Sequence, residues 1–366
     1  MRRTAMANSN IRMVIGVRLV VAYTVTVSSL CSIFSGCSAS GSGSVSVLIG
    51  GDCLLDRYGE ANHASATTPG SLSEEQSSDK RWATLIGSAE EDSAFIFNLE
   101  TTVGHGGDKK QKRFVFRAPI EAFAVLGSFH HPIAALANNH SMDYGPAGLV
   151  ATIDALDRYG IGHAGAGKNA EEASEAERIL VGSEAIDVLS FGFDEDKNSY
   201  DGTKGGCIAP LDRNSMKKRV EASSSSSMAT IVMLHWGIEY DPDFNGYQQD
   251  IARNLVEAGA SLVIGTGPHV KQGIEEYRGS LICYSLGNLI FDDLGSDETA
   301  TTFIVCLTIK RKADGTLKRR YEIAPLRTRT IDEGPSPTDE RDASRLVSEI
   351  SRRSPNPKII GRPDRM

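Results

Sequence analysis

Positive charge is in short supply in this 366-residue chain: 39 Lys and Arg stand against 47 Asp and Glu. Four of the 39, namely Arg2, Arg3, Arg12 and Arg18, fall within residues 1–37, where there is no acid. The remainder therefore carries 35 basic against 47 acidic residues, a net charge of −12. So acidic a body lacks the basic face that binding to a phosphate backbone requires, and nucleic acid is not an expected partner. An anionic substrate would have to be neutralised locally, and bound cations are the obvious means. Cysteine is sparse as well. Two of the six, Cys31 and Cys37, sit in the first segment; Cys53, Cys207, Cys283 and Cys306 show no C-x-x-C and no framework spacing. They read as small buried residues, although a disulfide is permitted outside the cytoplasm. No internal repeat is visible. What remains is ordinary globular composition, 40% hydrophobic and 23% charged, in a chain long enough for a large core.

The first 37 residues read as a targeting segment. A basic stretch from Met1 to Arg12 precedes the apolar run Leu19 to Val27, which leads into Ile33-Phe34-Ser35-Gly36-Cys37 and a Ser/Gly tether. Small residues before a cysteine and a flexible tether after it resemble a bacterial lipoprotein signal, with Cys37 lipidated. Phe34 stands where such signals usually carry Leu. The rival expectation is an uncleaved signal anchor over residues 13–36, long enough to span but burdened by Arg18. Either way the body is expected outside the cytoplasm, anchored to the cell membrane through residues 1–37, with 38–45 as linker.

Strands ending in polar residues alternate with helices. Ser44 to Asp52 reads as a buried strand, and so do Ala94 to Glu100, Ile133 to Leu136, Ile186 to Phe191, Thr230 to Leu234, Ser261 to Gly265 and Leu281 to Ser285. Helices are expected over 147–159, ending at Gly160, and over 248–258, ending at Gly259. Residues 59–80 and the region around the serine run 223–227 read as loops. Strands near 300–309 and 319–326 look like antiparallel edges, and residues 330–366 read as a polar tail containing one short helix. Alternation of this kind predicts an α/β fold with largely parallel sheets, and ligands of such sheets gather beyond the carboxyl ends of the strands.

Five strands end in groups that bind cations: Asp52, Glu100, Asn139-His140, His235 and His269. Any one of these alone is more simply a turn former or a satisfied surface residue. Five together point to a site for divalent metal, and oxygen with nitrogen but no thiolate favours Mn, Fe, Zn or Mg. Cys53 beside Asp52 is set aside as a ligand, since adjacent strand side chains face opposite ways.

The ordered segments GDCLLDR, NLETTV, FVFRAP, LANNHSMDYG, HAGAGKNAEEA, LHWGIEY, GASLVIGTGPHVKQGIE and YSLGNLIFD resemble the CapA family of poly-γ-glutamate capsule synthesis. That family is related to the calcineurin-like metallophosphoesterases. The resemblance covers residues 46–329. It implies two packed mixed β-sheets flanked by helices, one or two divalent ions at the strand ends, and Asp52, Glu100, Asn139, His235 and His269 as ligands. It divides them as Asp52, Glu100 and His269 around one ion and Glu100, Asn139 and His235 around the other. His140 takes the place of a general acid, with Asp143 holding its tautomer. Glu239, Asn138 and Asn288 are expected to support these groups from behind. Leu54 and Gly267 occupy positions where relatives have histidines, and Glu100 stands where Asp is usual.

Trp236 and Tyr240 read as core packing, and His63, His105, His130, His131 and His163 as solvent or local hydrogen-bonding groups. The loop Gly165-Ala166-Gly167-Lys168-Asn169 reads equally well as an anion cradle or as a plain glycine loop before a helix. Two functions follow. One is an extracytoplasmic metal-dependent hydrolase acting on a phosphate ester or a γ-glutamyl amide. The other is a non-catalytic accessory protein of a polymer synthesis or export complex, binding an anionic envelope polymer through bridging cations. Membrane proteins of polymer synthesis are the expected further partners.

Overall fold

The computed structural model describes residues 44–56, 93–181, 183–291, 295–329 and 334–356. The targeting segment, most of the linker and the Ser-rich stretch 59–80 lie outside the described residues. Among those described, no helix is long and apolar enough to cross a membrane.

The strands that carry the fold are β1 (Ser44–Cys53), β2 (Ser93–Leu99), β3 (Pro132–Ala135), β4 (Gly162–Ala164), β5 (Glu177–Val181), β6 (Glu184–Gly192) and β7 (Ala229–His235). They continue as β8 (Leu262–Thr266), β9 (Ile274–Tyr277), β10 (Ser280–Cys283), β11 (Asn288–Ile290), β12 (Thr301–Arg311), β13 (Leu317–Arg327) and β14 (Ser336–Pro337). One sheet runs β14-β13-β12-β1-β2-β3-β4, with β11 also paired to β1; the other runs β9-β10-β8-β7-β6-β5. Strands β1 to β4 are parallel to one another, as are β6, β7, β8 and β10. The long hairpin β12–β13 joins β1 antiparallel, so these two strands extend the sheet inward to its centre and the short β14 forms the edge.

Alternation along the strands sorts their side chains into separate cores. In β1, Val45, Val47 and Ile49 face the second sheet and pack with Ile231, Met233 and Ile264, while Leu48 faces away towards helix α1 (Gly145–Arg158) and its Leu149, Ile153 and Leu156. On the far side of the second sheet, Val232, Leu234 and Val263 pack against α2 (Arg213–Ser224) and α3 (Gly246–Glu257). The result is four layers, helix on sheet on sheet on helix, built on the period of two that strands impose. Helix α2 occupies a segment that reads as a loop. Asp212 caps it by accepting from the Ser215 amide, and Met216, Val220 and Ser223 are its buried residues. Helix α4 (Glu340–Arg353) buries Ala343, Leu346 and Ile350, the last two in the core between the sheets. The segment after residue 329 is therefore joined to the fold by both β14 and α4.

Candidate metal centre

Strand β1 changes face before it ends. Its register against β2 shifts between Ile49 and Asp52, as a bulge does when it inserts an extra residue. The Asp52 amide donates to the Gly287 carbonyl at 3.0 Å. This approach requires Gly51, where any Cβ would stand 1.9 Å from that oxygen. The shift turns Asp52 towards the second sheet and leaves Cys53 in the core on the helix side. Cys53 is thus no ligand to anything beside Asp52.

Asp52 is fully buried and held from two directions. Asn98 Nδ2 donates to Oδ1 at 2.8 Å, and the Gly267 amide donates to Oδ2 at 3.2 Å. Glu100 follows β2 directly, is 1% exposed, and both its carboxylate oxygens are buried without a hydrogen-bond partner. His235 ends β7 with Nε2 at 3.5 Å from Glu100 Oε1. Ligating atoms of Asp52, Glu100 and His235 all lie within 4.8 Å of one another. His269 bridges the two acids, with Nδ1 at 3.2 Å from Asp52 Oδ2 and Nε2 at 3.7 Å from Glu100 Oε1. Asn288 Oδ1 lies 3.0 Å from the same Nδ1. The backbone of His269 is in the left-handed region at φ +61°, a conformation that persists at a non-glycine residue only when neighbours enforce it.

The residue that sequence reasoning passed over is Asn98. Besides Asp52, its Nδ2 lies 3.3 Å from His235 Nδ1, and its Oδ1 accepts from Asn138 Nδ2 at 3.1 Å. It ties the first acid, the β7 histidine and the turn after β3 into one network. The signal was available: Asn98 stands two residues before Glu100, and strand alternation puts the pair on one face. Thr266, whose hydroxyl lies 3.2 Å from His235 Nδ1, was likewise not foreseen.

The turn after β3 divides its work among its polar residues. Asn138 is internal scaffolding; its Oδ1 accepts from the His140 and Ser141 amides at 3.0 Å each and its Nδ2 also donates to Leu99 O at 2.8 Å. Asn139 leaves its amide oxygen buried and without a hydrogen-bond partner. His140 Nδ1 lies 3.0 Å from Asp143 Oδ2. Asp143 is fully buried, accepts from the Phe116 amide at 2.6 Å and forms an ion pair with Lys112. With Nδ1 committed to Asp143, Nε2 is the ring nitrogen free to exchange a proton.

Other expected members fall elsewhere. Glu239 is exposed, and its charge reaches Glu100 only through space. Tyr240 is 60% exposed rather than packed in the core; its ring lies 6.0 Å from that of His269 and it lines a cavity of about 280 Å³ with Val270, Ser296 and Thr299. Trp236 is core, donating from Nε1 to Tyr284 O at 2.9 Å. The glycine loop is no anion cradle. The Lys168 amide donates to the Glu172 carboxylate at 2.9 Å, and Asn169 caps the helix that follows. Gly267 has φ +102°, and a Cβ there would meet His235 Nε2 at 3.1 Å. Positive φ and this crowding together favour glycine at the position whose amide donates to Asp52.

Two histidines at one site are driven in opposite directions. Burial pushes His235 down to about 3, against the pull of Asp52. Burial also opposes the charged form of His269, but the Glu100 and Asp52 carboxylates prevail and lift it to about 10. Burial raises Glu100 well above the ordinary carboxyl range; His269 counters this and the negative charge of Asp52 adds to it. Asp52 goes the other way, because its contacts with His269 and the Gly267 amide outweigh burial. Two buried acceptor oxygens on Glu100 without donors, beside the Asp52 carboxylate and the neutral imidazole of His235, form a donor set of oxygen and nitrogen that fits a divalent cation.

A family described as bacterial capsule synthesis protein PGA_cap matches residues 46–293. The PGA biosynthesis protein CapA of Bacillus subtilis is 29% identical over 266 residues, covering 70% of this chain and 67% of that protein. A probable polyglutamine synthesis accessory protein of Mycobacterium tuberculosis is 28% identical, covering 74% and 75%. Among solved structures, a 5'-nucleotidase precursor from Thermus thermophilus is similar with a TM-score of 0.44 at 13% identity, covering 84% of this chain and 58% of that one.

Proposed function

This chain belongs to the PGA_cap family of bacterial capsule synthesis proteins, and from that membership we propose that it is a metal-dependent hydrolase of envelope-polymer metabolism, acting outside the cytoplasm and anchored through residues 1–37. The observation that carries the reading is Glu100, whose two buried carboxylate oxygens have no hydrogen-bond partner although they lie among Asp52, His235 and His269. A buried carboxylate without donors is costly unless a cation compensates it. Asp52, Glu100, His235 and His269, with the Asn139 amide oxygen, are the residues that would hold one or two divalent ions. Such an ion supplies Lewis-acid polarisation of the scissile group and a more acidic water. The relatives' names point to a polyglutamyl chain or its precursors, so the bond broken is a γ-glutamyl amide or a phosphate ester.

The chain's own residues handle the proton and the geometry. Hydrolysis adds water across a C–N or P–O bond, and the departing nitrogen or oxygen needs a proton; His140 donates it from Nε2 and is recharged from solvent. Asp143 fixes the ring through Nδ1, and Lys112 pairs with Asp143 from the other side. Phe116, its ring 4.5 Å from that of His140, limits the ring's swing. The test is hydrolysis of an aryl phosphate, a phosphodiester and γ-glutamyl peptides by the full chain in Mn²⁺, with bound metal counted. Turnover that Asp52→Ala and His235→Ala abolish supports the enzyme. Leu54 and Gly267, standing where the resemblance implies histidines, favour a second reading as an accessory protein that grips an anionic polymer through bridging cations. Metal-dependent polymer binding without turnover of any of these substrates would establish it.

A further inference from the structure

Against the acidic body, residues 105–117 concentrate five cations, Lys109, Lys110, Lys112, Arg113 and Arg117, with a single acid, Asp108. The loop is clamped to the His140 turn. The Lys110 amide donates to Asp143 O at 2.9 Å, Phe116 N to Asp143 Oδ2 at 2.6 Å, and Lys112 Nζ to Asn139 O at 2.6 Å. The Arg117 guanidinium lies 3.2 Å above the ring of Tyr144, and Lys110 Nζ pairs with Asp196 at 2.8 Å. From His140 a line of groups leads outward. The Phe116 ring is 4.5 Å from His140, Phe114 is 6.4 Å from Phe116, and the Arg113 guanidinium stands 4.8 Å over Phe114. Phe114 is 55% exposed, and Lys109 and Arg113 are exposed beside it. This places positive charge and exposed aromatic surface together beside the His140 turn.

We propose that this loop is a subsite for an extended polyanionic chain with repeated carboxylates, which it guides to His140. The inference rests on reading the site as one of polymer hydrolysis and adds the recognition element. A small anion such as phosphate offers neither repeated charge nor an apolar linkage to lay across Phe114. A chain whose carboxylates are separated by methylenes can place charge on Lys109 and Arg113 and apolar linkage on Phe114. Long-range repulsion by the acidic body is offset locally, so binding is strongly dependent on salt.

The experiment measures binding of a labelled glutamate homopolymer to the full chain in EDTA, which removes bridging cations. Competitors are a glutamine homopolymer of equal length, a single-stranded oligonucleotide and inorganic phosphate. Lys109→Glu with Arg113→Glu, and separately Phe114→Ala, are compared with wild type after melting curves confirm that each is folded. The expected result is competition by none of the three, weakening by salt, and loss of about tenfold or more in affinity in the double variant. Absence of glutamate-polymer binding, equal binding of the neutral polymer, tighter binding of the oligonucleotide, or full affinity in the double variant overturns the proposal. Failure of the hydrolytic reading is recognised separately: no substrate is turned over in Mn²⁺, whatever the polymer binding in EDTA.

Discussion

Replacing Glu100 with Gln separates the folding role of the site from its function. In the ion-free chain the carboxylate is buried with both oxygens undonated, and an unsatisfied buried polar group costs about 1–3 kcal/mol. Glu100→Gln keeps the shape and removes the charge that burial opposes, while it withdraws a carboxylate from His269 and leaves an amide in its place, so at neutral pH in EDTA the variant is expected to be more stable by at most about that amount. At about 2 °C per kcal/mol for a chain of this size, the midpoint rises by at most about 6 °C. The pH dependence follows from the raised affinity of Glu100 for its proton in the folded state. Between the ordinary carboxyl value and the folded one, the native state binds more protons than the unfolded state, so stability falls as pH rises. Below that window the carboxyl is protonated in both states and the advantage of Gln disappears. Manganese reverses the order: at a hundred times its dissociation constant it stabilises wild type by about 2.7 kcal/mol, and the variant by little. Thermal melts at pH 4.5 and 7.5, with EDTA or Mn²⁺, give the four readings. A Gln variant no more stable than wild type in EDTA at pH 7.5, or one that gains as much from manganese, refutes the reasoning.

Three further outcomes are expected. His140→Gln should lower turnover by about 10²–10⁴-fold on substrates with poor leaving groups, and far less on aryl phosphates whose leaving group needs no proton; bound metal, measured by elemental analysis, should not change. Gly267→His should not add a ligand: placing a non-glycine residue at φ +102° costs about 1–3 kcal/mol, and the metal count should stay level or fall as urea stability drops. Leu346→Ala, which removes a side chain 2% exposed between the sheets, should cost about 2–5 kcal/mol in urea denaturation; a neutral result would mean that α4 is not part of the folded unit.

The strand-end residues were legible because buried strands are short apolar runs, and a carboxylate or imidazole directly after such a run stands out. Helices α1 and α3 were legible from their periodicity and the glycines that end them; Gly160 and Gly259 both have positive φ. Helix α2 was not, because its buried stripe is only Met216, Val220 and Ser223 in an otherwise polar, Ser-rich segment. The hydrogen bonding around Asp52 could not be read either. It depends on the bulge that turns Asp52 and on how the two sheets face each other, and both are properties of register and packing rather than of local pattern. Tyr240 reads as core because it is aromatic, yet positive φ at a loop position turns it outward. The basic loop beside Asp143 was hidden in the same way: its meaning comes from contacts across 27 residues of chain.

Strand β1 sits mid-sheet between β2 and β12, so its second neighbour is synthesised some 250 residues after it. The first acid is thus translated early, while the hairpin that completes its sheet and the turn bearing His269 arrive near the end. A ribosome releasing this protein one residue at a time delivers a half-built sheet with an open flank for most of the journey. Closure of that flank and assembly of the ion-binding pocket must be late events on the folding pathway, and truncations that stop short of β12 should leave neither.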